Sequence, residues 1–171
     1  MSRMHPIATP VGTLQAIWNA AGLLQACGFT HQSAEASTAE PPGSRWPWQV
    51  RCDQLSAQVQ AYFAGQPLAV NLEWLDWSLC TPFQQRVLQA CYHIPHGSTL
   101  SYAQLAVQVK SPRGARAVGA AMARNPWPIV IPCHRVVGAN GQLTGYSGTG
   151  GIDTKRRLLA WEAAREPLAA C

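Results

Sequence analysis

Acidic residues are scarce in this chain, long apolar runs are missing, and the cysteines fall into no pattern. Each shortage removes a class of protein. The longest apolar stretch is far shorter than the ~20 residues that a bilayer-spanning helix needs, so no membrane segment is expected. The opening Met1-Ser2-Arg3-Met4-His5-Pro6 lacks the basic-then-apolar layout of a secretory signal, and a cytoplasmic protein is the expectation. The six cysteines (Cys27, Cys52, Cys80, Cys91, Cys133, Cys171) are irregularly spaced with no CxxC pair, which argues against a disulfide-stapled scaffold and for free thiols. Cys27 and His31 stand at a spacing that could reach a metal, but no second ligand pair accompanies them. No metal and no cofactor are expected.

The shortage of acidic residues is sharpest in one segment. The formal charge is +5, from 13 basic and 8 acidic residues. Between Arg86 and Arg135 there is no Asp or Glu, while Lys110, Arg113, Arg116 and Arg124 lie in between. A solvated basic face and a nucleic-acid footprint both fit that distribution.

Two regions with different periodicity point to two domains, a small β-rich one over residues 1–78 and a helical one over 79–171. In the first, the apolar stretch Leu14, Ala16, Ile17 and Trp18 follows the turn residues Pro10 and Gly12. Asn19 to Gly22 read as a turn, and Leu23, Leu24 and Phe29 as a returning strand. The stretch 32–49 is polar and carries Pro and Gly, as a loop does. Leu55, Val59, Tyr62 and Phe63 have helical spacing with Gly65 as the stop, and 67–78 reads as a further strand.

From Thr81 the pattern is helical. Thr81 is placed to cap a helix with Pro82 at its first position and Phe83, Val87, Leu88 and Cys91 on one face; Pro95 and Gly97 end it. Ser101 and Gln104 form a capping box for a short second helix. Ser111 and Pro112 repeat the start signal for a third, so that a helix-turn-helix is expected. This third helix is slim. Gly114, Ala115, Ala117, Gly119, Ala120, Ala121 and Ala123 surround Arg113, Arg116 and Arg124. Such a surface can approach the narrow minor groove or pack tightly inside the protein, and the two uses are compatible on different faces.

The chemistry centres on "NPWPIVIPCHRVVG", where an apolar run is interrupted by Cys133, His134 and Arg135. Three prolines pin the approach to Cys133, which suits a side chain that must be aimed. A nucleophilic cysteine reacts as the thiolate, and His134 is the nearest activator. Neighbouring side chains do not face each other on a strand or a helix, so a bridging water would have to carry the proton. His134 then needs a third group to orient it. Glu162 shares the apolar face of a C-terminal helix with Leu158 and Leu159, where a carboxylate is costly unless paired. Either it partners His134, or it sits at the core edge, reaching water or paired with Arg165 or Lys155.

Five stretches in order, "TPFQQRVLQA", "SYAQLA", "ARAVGAAMARNPWPIVIPCHRVVG", "LTGYSG" and "KRRLLAWE", resemble the O6-alkylguanine-DNA alkyltransferases, over residues 81–162. The opening "TPVGTLQAIWNAAGL" resembles them more weakly. The resemblance implies a ribonuclease-H-like α/β domain before a mainly helical, winged-helix-like domain with the helix-turn-helix. It implies a monomer that binds double-stranded DNA through the minor groove, flips out an alkylated guanine and moves the alkyl group irreversibly to Cys133. Alkylated thymine is a second candidate substrate, and cooperative binding along DNA is left open. By the same resemblance His134 and Glu162 form the relay, Tyr102 protonates the leaving base, and Asn125 is a hinge. Arg116 fills the vacated space in the stack, with Ser101, Ala117, Gly119, Arg124 and Arg135 as further DNA contacts. Val136, Ser147, Tyr146 and Pro128 would touch the base. Two features depart from the family's pattern: the Tyr146–Lys155 loop is two residues longer than its commonest form, and His96 stands where a tyrosine often occurs.

Rival functions explain less. A sensing protein on the same scaffold, which binds alkylated DNA without transfer, lacks the cysteine. A helix-turn-helix regulator leaves Tyr102, Asn125 and Glu162 together unexplained. A cysteine hydrolase would need direct Cys–His contact.

Overall fold

The computed structural model describes residues 2–30, 47–146 and 148–164. The chain divides into two compact units, Met1–Asp76 and Trp77–Cys171. In the first, β1 (Arg3–Thr9), β2 (Gly12–Trp18) and β3 (Leu24–Thr30) form an antiparallel sheet in that order. Strict alternation along β2 buries Leu14, Ala16 and Trp18 on one face. Ile7 from β1 and Leu24, Cys27 and Phe29 from β3 join them in the core. Helix α1 (Pro47–Phe63) contributes Cys52, Leu55, Val59, Tyr62 and Phe63 to the buried set at helical spacing. The β2–β3 turn forms where expected: the Asn19 side-chain oxygen accepts from the amides of Ala21 and Leu23, and Gly22 takes the left-handed φ of 74°.

Two expectations for this unit need correction. The hairpin has a third strand, β1, which is an edge strand with only Ile7 buried. Edge position also tolerates Pro6, so neither alternation nor composition marked it. The strand expected over 67–78 is instead two 3-10 turns, Leu72–Trp74 and Trp77–Leu79. The Asn71 side chain accepts from the Glu73 amide and starts the first turn, leaving only a single bridge between Leu24 and Leu75.

The second unit holds α2 (Pro82–Tyr92), α3 (Tyr102–Gln108), α4 (Ala115–Ala123) and α5 (Gly151–Ala163), with a short parallel pair of β4 (Leu100–Ser101) and β5 (Val136–Val137). Thr81 caps α2 by accepting from the Gln84 amide, and Ser101 and Gln104 close the capping box of α3. Helix α4 begins three residues later than Pro112 suggests. Gly114 is its N-cap, packed so closely on Ser111 that an added Cβ would lie 2.9 Å from the Ser111 carbonyl oxygen. At the start of α5 the expected cap by Asp153 or Thr154 is replaced by Gly150 in a left-handed conformation; Thr154 donates back to the Thr149 carbonyl. No helix among the described residues is long and apolar enough to cross a membrane.

Candidate active site

The pairing of β4 with β5 decides the geometry. It sets Leu100 against Val136 and Ser101 against Val137, so Tyr102, the first residue of α3, comes close to the 3-10 turn Cys133–Arg135 that leads into β5. A cavity of about 210 Å³ lies between them, lined by Tyr102, Gly119, Met122, Ala123, Cys133, Gly145 and Tyr146. A Cβ at Gly119 would make only ordinary contact with the Tyr102 ring, at 3.9 Å.

The approach to Cys133 is held by hydrogen bonds as well as by prolines. Asn125 is buried; its side-chain nitrogen donates to the Ile131 carbonyl at 3.0 Å and its oxygen accepts from the Trp127 amide at 3.0 Å. Trp127 is fully buried with its ring 5.0 Å from that of Trp77, near edge-to-face. Within this loop Ile129 has φ of 75°, a conformation that a β-branched residue adopts only when its surroundings force it.

Around the tight turn the side chains separate as the one-residue spacing requires. Cys133 faces the cavity, while His134 and Arg135 both reach Glu162 on α5. His134 Nε2 lies 2.8 Å from Glu162 Oε1, with both side chains fully buried. Arg135 Nε donates to Oε1 and Oε2 at 3.1 and 3.0 Å, its Nη2 to Oε1 at 2.8 Å and its Nη1 to the Ile94 carbonyl at 2.7 Å. Burial alone would raise the Glu162 pKa, but hydrogen bonds and charge from His134 and Arg135 outweigh it and hold the group ionised. An ionised partner fixes the proton of neutral His134 on Nε2, leaving the lone pair on Nδ1. Burial lowers the His134 pKa, so neutral is its resting form. Nδ1 is buried and makes no hydrogen bond to any of the described residues.

Burial raises the Cys133 pKa, opposed by a hydrogen bond from Asn125 and by the charge of Lys155. The resting thiol is therefore protonated and needs a base. Burial also raises the Tyr102 pKa, so its hydroxyl keeps its proton, which it donates to the Thr144 carbonyl at 3.1 Å.

Arg135 corrects one expectation. It is buried with its nitrogens spent on Glu162 and Ile94, and so does not stand on a DNA-facing surface. Of the alternative partners considered for Glu162, Lys155 bonds elsewhere, and Arg165 lies outside the described residues. Of the expected base contacts, Tyr146 lines the cavity, whereas Pro128 and Val136 do not. Pro128 is held in the buried loop by a bridge to Ile131, and the Val136 carbonyl accepts from Lys155 Nζ at 2.6 Å. Ser147, Cys171 and His31, half of the Cys27–His31 pair, lie outside the described residues. Arg116, Ala117 and Arg124 lie exposed on or at the end of α4, whereas Gly119 turns to the cavity and Ser101 serves as the cap of α3.

From the sequence, Lys155 stands only as an alternative partner for Glu162, with no role of its own. It is fully buried, bonds the Val136 carbonyl and the Thr144 carbonyl (3.1 Å), and sits 5.8 Å above the Tyr102 ring. Its signal was present: Lys155, Leu158 and Glu162 share one helical face, so the reasoning applied to Glu162 reaches it too. Lys155→Met keeps the stem and removes the charge. It is expected to cost about 1–3 kcal/mol in unfolding by chemical denaturant, because two carbonyls lose a charged donor.

A buried thiol at the wall of a small cavity, with a base behind it and a phenol across from it, defines a protein that does covalent chemistry on one small group. Residues 82–164 match the family described as 6-O-methylguanine DNA methyltransferase, DNA binding domain. A methylated-DNA–protein-cysteine methyltransferase from Mycolicibacterium paratuberculosis is 42% identical over 151 residues, covering 85% of this chain and 89% of the relative. One of the same name from Mycobacterium bovis is 51% identical over 110 residues, 64% of each chain, so that match spans just under two thirds of the relative's length. The crystal structure of the Mycobacterium tuberculosis O6-methylguanine methyltransferase superposes with a TM-score of 0.70 at 37% identity, covering 98% of this chain and 96% of that one. A structure of Mycobacterium tuberculosis OGT in complex with DNA gives 0.69 at 38% identity, covering 97% and 94%. The chain belongs to the methylated-DNA–protein-cysteine methyltransferase family.

Proposed function

We propose that this protein repairs DNA by direct reversal, taking an alkyl group from O6 of guanine, and by extension O4 of thymine, onto Cys133 once and irreversibly. The observation that carries the reading is Cys133 at the cavity wall, with the His134–Glu162 pair behind it and Tyr102 on the same cavity. His134 Nδ1 takes the thiol proton through a water that would also satisfy this buried nitrogen, which has no partner among the described residues. The new S–C bond forms as the C–O6 bond breaks. The electron pair of that bond stays on the guanine, which accepts the Tyr102 proton and leaves neutral. The proton on His134 then restores the tyrosine, so the net change is thiol plus alkylguanine to thioether plus guanine.

An about 210 Å³ cavity admits a base only if that base leaves the duplex. In this reading α3 and α4 are the helix-turn-helix and α4 enters the minor groove. Support comes from the faces of α4: Val118, Ala121 and Met122 are buried, while Ala117, Ala120 and Ala123 leave the outer face slim beside Arg116 and Arg124. The first unit is read as the family's ribonuclease-H-like domain, ending two residues before the 78/79 boundary expected from the sequence, and the protein as a cytoplasmic monomer.

Arg116 tests the flipping step. Arg116→Ala is expected to slow transfer from duplex DNA about a hundredfold, the equivalent of a few kcal/mol of unstacking, and to spare reaction with free alkylguanine. Arg116→Lys keeps the charge without the planar group and should restore only part of the rate. Equal slowing on both substrates in single-turnover assays would assign Arg116 to the fold or the cavity instead.

A further inference from the structure

One turn of the second unit touches both members of the buried ion pair. The chain from Ile94 to Gly97 leaves α2 and turns toward β4, with the Ser98 amide bonded to the Pro95 carbonyl. Its first residue offers the Ile94 carbonyl to Arg135 Nη1 at 2.7 Å. Its last offers the Gly97 amide, which donates to Glu162 Oε2 at 3.1 Å. The turn thus presents an acceptor to the cation and a donor to the anion. We propose that the Ile94–Gly97 turn is a positioning element of the relay, in which the Gly97 amide fixes the rotation of the Glu162 carboxylate so that Oε1 meets His134. The inference rests on the relay described above.

The argument is one of torsion. The last torsion of a glutamate is soft and roughly two-fold, so a buried carboxylate turns unless both oxygens are held. Oε1 already serves two partners, His134 Nε2 at 2.8 Å and Arg135 Nη2 at 2.8 Å. Oε2 has Arg135 Nε at 3.0 Å and the Gly97 amide. Arg135 spans both oxygens, its Nε also 3.1 Å from Oε1, and the Gly97 amide adds a backbone anchor on Oε2 that keeps Oε1 turned to the histidine. Gly97 can aim its amide because it holds a left-handed φ of 76°. No atom lies within 4 Å of where a Cβ would be, so a side chain there changes the backbone preference without a clash. Among the described residues, the titratable and charged groups that face Glu162 are His134, Arg135 and His96, the last on the turn itself.

The test is single-turnover methyl transfer from an O6-methylguanine duplex by the full chain, reading amplitude and rate across the neutral and alkaline range. Gly97→Val disfavours the left-handed conformation and should withdraw the amide. The expected result is full amplitude with a rate about tenfold lower at neutral pH, as for loss of one hydrogen bond to a charged group. That deficit should shrink as pH rises, because a thiol that ionises unaided no longer depends on the relay. Gly97→Asn tolerates the same φ and should recover most of the rate. A rate equal to that of the unaltered chain, a deficit that is the same at every pH, or loss of amplitude alone would each overturn the proposal. Glu162→Gln separates the two levels. If it is slow while Gly97→Val is not, the relay stands and the turn is only a connector; if it transfers at full rate, the relay itself fails and the turn's role with it.

Discussion

Mixed with an excess of duplex carrying O6-methylguanine, the chain is expected to gain the mass of one methyl group, once, and peptide mapping should place it on Cys133. Cys27, Cys52, Cys80 and Cys91 are also buried thiols, so selectivity cannot come from exposure. It comes from surroundings. Burial raises Cys52 to about 12 with the nearby Asp53 adding to the effect, and burial raises Cys91 well above an ordinary thiol. Cys133 alone among the described thiols lines the cavity, with Asn125 and Lys155 favouring its thiolate. Cys133→Ala should abolish transfer, a loss larger than any other substitution can cause. It should keep most DNA affinity, because the exposed arginines of α4 do not depend on the thiol. Repeated turnover, or methyl on another cysteine, would overturn the proposed function.

The second large effect is at Glu162. Removing one partner of a buried ion pair leaves the other charge uncompensated, and Glu162→Ala is expected to cost about 3–5 kcal/mol of stability. Glu162→Gln keeps the shape and should cost less, while slowing transfer about a hundredfold by depriving His134 of its anionic partner. The pH dependence has a definite sign. Because the Glu162 pKa is lowered in the folded state, its contribution is fully present above its unfolded pKa of about 4.3. It is lost as pH falls below that value toward the folded pKa. The lowered His134 pKa acts in the same direction, starting near pH 6.5, since the unfolded histidine takes up a proton that the folded one resists. Denaturant unfolding of the unaltered chain should therefore weaken in two stages on acidification. In Glu162→Gln the lower stage should disappear and the upper one remain.

Much of this site was legible before the coordinates. Thr81, Ser101 and Gln104 announce their helices through local hydrogen bonds that involve neighbours in sequence, and all three form. Cys133, Tyr102 and Glu162 could be named from the order of the five stretches that resemble the family, and His134 from its place beside the thiol. Illegible were the features that depend on a distant partner. Pro6 hid an edge strand that exists only because β2 is there to pair with it. The segment 67–78 has strand-like composition, but the Asn71 turn and a single bridge to Leu24 leave it coiled.

By itself, then, the sequence determined the helix starts, the covalent pinning of the approach to Cys133 and the basic, slim character of α4, because each depends on residues within one or two turns of one another. Tertiary structure decided where the charges went. Arg135 looks from its neighbours like a surface contact, and only the meeting of the Cys133–Arg135 turn with α5 and Gly97 turns it inward to Glu162. Lys155 likewise looks like one exposed base in a run of three. Its burial follows from the helical face that carries Leu158 and Glu162 and from carbonyls at Val136 and Thr144 that need a donor. A buried charge is stable only beside a matched partner, and residues 11 to 65 apart become partners only when the fold brings them together.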